Sequence, residues 1–240
     1  MSSTTHQITV GNIAVDVVRK DIKNLHLAVY PPNGRVRVAA PLRIDDEAVR
    51  LMIISRMTWI KRQQRQFEGQ ERQSPREYLS GESHYYKGQR YLLTVIYHDA
   101  PPSVIIRNKT HIDLYVRTGS THEQRERVFT EWYRDALKAD IPTLITKWEK
   151  IIGVEALDWS IKKMRTKWGA CNILKKRIWL NLELAKKPTH CLEYVIAHEL
   201  IHLLERHHNE RFRTYLDKFL PQWRFYREEL NSLTSDYPEW

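Results

Sequence analysis

A chain of 240 residues that is 42% hydrophobic can bury one substantial core or two smaller ones, which excludes a disordered chain. Two cysteines, Cys171 and Cys191, are too few for a disulfide framework, and neither sits in a C-x-x-C pair, so both are read as reduced thiols. The formal charge of +10 suits a polyanion such as nucleic acid, but the cations are dispersed through "RMTWIKRQQRQFEGQERQSPR", "IKKMRTK" and "LKKR", which reads equally as solvated faces.

The opening "MSSTTHQITV" has no basic segment followed by an apolar one, and no later run reaches the roughly 18 apolar residues of a membrane span, so a cytoplasmic protein without a membrane partner is expected. In the first third, alternation at Ile13, Val15 and Val17, at Leu25, Leu27 and Val29, and at Val36 and Val38 predicts strands. Asn33-Gly34 offers the left-handed residues of a tight hairpin, so a small antiparallel sheet is expected. Asp45 or Asp46 can cap one helix with an apolar stripe at Val49, Ile53, Met57 and Ile60, stopping near Gly69 and Pro75.

The β pattern returns in "RYLLTVIYHD", "SVIIRN" and "HIDLYVR". A polar joint at Thr118–Thr121 then leads into helical spacing at Val128, Trp132 and Leu137, which Pro142 should kink or interrupt. The expected division is a β-rich region with one long helix over 1–120 and a second region over 121–240. Two strand-like runs follow, "ALDWSIKKMRTKWGACN" and "RIWLNLEL". Pro188 and Thr189 then open a helix, with Thr189 as its N-cap.

That helix carries "YVIAHELIHLLERHHNERF", residues 194–212. Residues four apart share a helix face, so His198 and His202 can offer imidazole nitrogens to one ion while Glu199 lies beside them, within reach of a water. This H-E-x-x-H spacing is the metalloprotease signature. Apolar residues from Tyr194 to Leu204 surround the motif, and two histidines and a glutamate in a buried face need an ion, or else hydrogen bonds within the core, to satisfy them. The third ligand comes from Glu205, His207 or His208. A continued helix would carry position 208, ten beyond His198, about 80° off the ligand face and some two to three turns along, so the chain must turn to bring it in, with Asn209 capping a new helix in "ERFRTYLDKFL", while Glu205 is expected on the solvated side. His208 is the first choice and His207 the second.

The segments "MRTKWGACN", "IWLNLELAKKP" and "YVIAHELIHLLERHHNERF", with "YLSGESHYYKGQRYLL" more faintly, resemble the YgjP-like metallopeptidases, relatives of the WLM and SprT-like zinc proteases. The likeness runs from about residue 77 to 212. It implies an α+β, zincin-like unit in which a small mixed sheet precedes the H-E-x-x-H helix. It also implies zinc on His198, His202 and His208, Glu199 as general base, and a protein or peptide substrate. This chain reads His207-His208 where the family pattern is Asn-His, and Asn209 where Ser is usual. The histidine spacing matches metzincins too, but Glu205 stands in place of their glycine, which rejects that assignment. Trp168 and Asn181 are expected in core packing or at the cleft. Two other readings follow from the charge: a nucleic-acid-associated protein with a structural zinc, and a protease recruited to DNA.

Overall fold

The computed structural model describes residues 5–30, 33–68, 76–164 and 167–232, with no side-chain placement for 66–68 and 232. The chain forms two compact units that part between Arg72 and Gln73. The joint at Thr118–Thr121 therefore lies inside the second unit, because the strands before it pack on the helix after it.

In the first unit, β1 (Thr5–Val10), β2 (Ile13–Lys20), β3 (His26–Tyr30) and β4 (Arg35–Pro41) form a sheet in the order β1-β2-β4-β3. The β3-β4 hairpin is antiparallel as expected, and Gly34 supplies a left-handed residue, φ +64°. The sheet as a whole is mixed, since β2 runs parallel to β4 with Val15 opposite Val36 and Val17 opposite Val38. Alternation decides which side chains face the core, and Val15, Val17, Val36 and Val38 are all buried, but it does not decide strand order. Asp45 caps α1 (Asp46–Ser55) by accepting from the Ala48 amide at 2.8 Å. The expected single helix is broken at Arg56, and α2 (Met57–Glu68) follows. Val49, Ile53 and Ile60 still join one cluster with the sheet valines. The expected stops at Gly69 and Pro75 lie outside the described residues.

In the second unit, β5 (Ser83–Tyr86), β6 (Gln89–Tyr97), β7 (Ser103–Ile106) and β8 (His111–Val116) form a sheet in the order β5-β6-β8-β7. Against it lies α3 (His122–Ile152), opened by a capping box of Thr121 and Gln124 and closed by Gly153 at φ +78°. Pro142 does not interrupt this helix. The proline is exposed, so the carbonyl it deprives of a partner can turn to water.

The third sheet has the order β10-β11-β9, built from β9 (Asp158–Lys162), β10 (Gly169–Asn172) and β11 (Arg177–Asn181). Here β10 is antiparallel and β9 parallel to β11, so the run 156–172 is two strands on opposite sides of a third. A 3-10 turn (Leu182–Lys186) leads to α4 (Thr189–Ile201), then α5 (Glu210–Phe219) and α6 (Trp223–Ser232). Pro188 holds the N-cap position of α4 and makes no side-chain cap bond, so Thr189 is the first helical residue rather than the cap. The start of α4 is instead clamped by the β5-β6 turn. Lys87 and Gly88 donate backbone bonds to the carbonyls of Ala185 and Lys186, and a Cβ at Gly88 would come within 2.6 Å of Pro188. Among the described residues no helix is long and apolar enough to cross a membrane.

Candidate metal centre

Every residue of α4 from Tyr194 to Ile201 is buried, which is possible because α3, α6, β10 and β11 all pack against it. His198 and Glu199 sit in its last turn, and His202 is its C-cap residue. The chain turns there and restarts as α5, whose N-cap Asn209 accepts from the Phe212 amide at 3.0 Å. The turn brings His208 back. Its Nε2 lies 2.9 Å from Nε2 of His198 and 3.0 Å from Nε2 of His202. His207 stays exposed outside this cluster, its amide donating to the Glu205 carboxylate.

Three convergent imidazole nitrogens cannot all satisfy one another, since each neutral ring has one proton to give. His202 has already used its proton: Nδ1–H donates to the Glu205 carbonyl at 3.1 Å, which leaves Nε2 as a lone pair aimed into the cluster. Burial holds all three rings toward the neutral form, His198 most strongly, with the neighbouring imidazoles and Arg227 adding to the effect on it. Neutral imidazole is the form that ligates. The nitrogens are spaced close to the roughly 3.3 Å expected between donors on a tetrahedral ion with bonds of about 2.0–2.1 Å. Phe212 packs on the three rings at centroid distances of 4.8, 4.7 and 4.8 Å and fixes their planes.

Glu199 is 2% exposed, and its Oε2 has no hydrogen-bond partner among the described residues. Burial pushes its carboxyl up to about 8, against a smaller opposing pull from Lys167. Such a group is costly without a cation or a water to meet it. Room for it exists because position 169 is glycine: a Cβ there would stand 2.5 Å from Glu199 Oε1. The loop before β10 is held by Asn181, fully buried, whose Nδ2 donates to the carbonyls of Met164 and Lys167 at 3.0 and 2.7 Å. Trp168 is also fully buried, so both residues serve packing.

The histidines and Glu199 open on a cleft of about 730 Å³ whose wall includes β10, Trp179, Lys167 and Arg206. Cys171 lines it as a free thiol, pushed up to about 12 by burial and then by Glu199. Elsewhere, His190, Cys191 and Glu229 also come within 4.8 Å of one another, but His190 and Glu229 bond each other and tie α4 to α6. His198, His202 and His208 are thus a group able to hold an ion, with a carboxylate beside it.

The family model for the YgjP-like metallopeptidase domain matches residues 23–233. The chain belongs to the YgjP-like family. As a YgjP-like protein it is a metal-dependent peptidase, and the family implies a divalent ion for which the three imidazoles form a candidate site. The match enters the first compact unit at residue 23, so it takes in β3, β4, α1 and α2 as well as the second unit, while β1 and β2 precede it. The crystal structure of the metallopeptidase zymogen of Pyrococcus abyssi abylysin is similar over 40% of this chain and 97% of that one, at 16% identity and a TM-score of 0.38. No curated protein matches the chain.

Proposed function

We propose that this protein is a zincin-like peptidase that holds zinc on His198, His202 and His208 and uses Glu199 as general base. The observation that carries the reading is the convergence of three neutral imidazole nitrogens beside a buried, unpartnered carboxylate oxygen in an open cleft. Zinc fits three nitrogen donors, and when bound it supplies Lewis acidity to a water and to the scissile carbonyl. The cluster contains three ligands among the described residues, which leaves a tetrahedral ion one open position and speaks against a closed structural site. Glu199 takes the proton of the attacking water and returns it to the leaving amine. A divalent charge beside it would favour its ionised form, opposing the rise caused by burial. Among the described residues β10 is an edge strand of its sheet, which suits an extended peptide held by backbone pairing.

Metal analysis of purified protein should find about one zinc per chain, the stoichiometry of a single three-ligand site. Alanine at His198, His202 or His208 should strip the ion, whereas alanine at His207 should not. Glu199→Gln should keep zinc and fold but slow hydrolysis of an unfolded protein by about 10²-fold or more. Equal cleavage by Glu199→Gln and wild type at equal zinc content would sink the general-base role.

A further inference from the structure

The walls of the cleft carry charges that hydrolysis itself does not use. Lys167, just before β10, and Arg206, in the turn after α4, both line it and are both exposed. Among the described residues neither forms an ion pair. Lys167 stands close enough to Glu199 and His208 to act on both electrostatically. The carboxylate lining the cleft is Glu199, which is buried, and nearby Glu205 spends an oxygen on the His207 amide. The remaining wall is partly apolar: Trp179 faces it, and Leu174, at the β10-β11 turn, is 97% exposed. A ligand in this cleft meets two unneutralised cations and an apolar rim.

We propose that the cleft selects peptide segments carrying a carboxylate side chain near the scissile bond, with Lys167 and Arg206 as specificity-determining residues and Leu174 and Trp179 receiving an apolar neighbour. The proposal rests on the peptidase reading above. A nucleic acid would meet the same cations, but its backbone gains nothing from Leu174 or from the unpaired amides and carbonyls of a strand edge, whereas an extended peptide uses both.

The test is binding of labelled extended peptides of equal length and apolar content, bearing Glu, Gln or Lys at the flanking positions, to the zinc-loaded Glu199→Gln protein. Anisotropy at low salt should show the Glu peptide binding roughly 3- to 30-fold more tightly than the Lys peptide, with the gap narrowing as salt rises. The pair Lys167→Glu with Arg206→Glu should reverse the order. The same charge change at Lys109 and Arg117, exposed just before and just after β8 in the same unit and outside the cleft lining, should leave it intact. Equal binding of the three peptides overturns the proposal, as does an equal effect of the Lys109 and Arg117 pair, which would assign the preference to the field of the whole molecule. Tighter binding of a single-stranded oligonucleotide that displaces the Glu peptide and is lost in Lys167→Glu/Arg206→Glu also overturns it, in favour of nucleic acid. Cleavage of the peptides by wild type separates the two readings. Preference in binding with no cleavage removes the peptidase mechanism and keeps the selectivity; cleavage without preference does the reverse.

Discussion

His198, Glu199 and His202 are legible in the sequence because one helix carries them and a four-residue period is a local signal. His208 is legible as far as the need for a turn and the Asn209 cap, which the chain provides. Gly169, Phe212, Lys167 and Arg206 give no such signal. Each meets the site from another element or turn, and only the folded chain shows that a strand glycine lies against a helix glutamate. Gly169 makes the sharpest test at this scale. Alanine there would force its Cβ to 2.5 Å from the carboxylate oxygen, so Glu199 must move while the three imidazoles need not. Gly169→Ala should retain zinc yet lose roughly 10- to 100-fold in kcat, in line with the cost of an ångström-scale misplacement. Paired metal analysis and kinetics check this, and unchanged kcat would show that the carboxylate has slack.

Among the elements, helices were easier to read than sheets. The start of α3 is legible as helical spacing after the polar joint at Thr118–Thr121, though not its run through Pro142, whereas all three sheets combine parallel and antiparallel pairs that no run of residues encodes. The run 156–172 looked continuous because the contact that splits it, Asn181 binding the carbonyls of Met164 and Lys167, comes from a later strand. The second sheet meets α3 through His84 on β5, which is buried and stacked on Phe129 at 4.6 Å. Its Nδ1 accepts from Arg76 at 2.8 Å, while Nε2–H faces the Glu82 carboxylate at 3.4 Å. Burial, then the Arg76 charge, lowers its pKa from the ordinary 6.5 to about 4. The folded state therefore binds fewer protons than the unfolded state between these values, and the contribution of His84 is full above pH 6.5 and is lost as pH falls toward 4. Denaturant melts of the metal-free protein should weaken over this window, and His84→Gln should flatten that slope. An identical slope in the variant would remove His84 as a cause.

Across the whole molecule, the two units have their own sheets, and all three candidate ligands belong to the second. The sequence suggests a division near residue 120, where the polar joint Thr118–Thr121 separates the β pattern from helical spacing. Contacts place it between Arg72 and Gln73, since α3 needs the β5-β8 sheet to cover its apolar face. Metal binding should stabilise the unit that owns the ligands. At an ion concentration a thousand times Kd the gain is about 4 kcal/mol, or roughly 8–16 °C for a unit of this size. Calorimetry with and without a chelator should move the transition of the second unit and leave that of the first in place. A uniform shift of both would show that they unfold together.

If a substrate pairs with β10 as proposed above, the four residues of this edge strand set a condition on what can be cut. A partner strand for Gly169–Asn172 spans about 13 Å of extended chain, and its backbone groups must arrive unpaired. A native helix or central strand cannot supply them until it opens. A folded target would then be degraded in proportion to the small fraction of time its segment is unravelled, with local opening as a pre-equilibrium. Destabilising one target by about 1.4 kcal/mol, with the cut segment unchanged, should raise its degradation rate about tenfold. The natural logarithm of the rate, measured across a stability series of one such target, should fall with unit slope against its opening free energy in units of RT. On this account the peptidase reads its targets by how often they breathe as well as by their side chains.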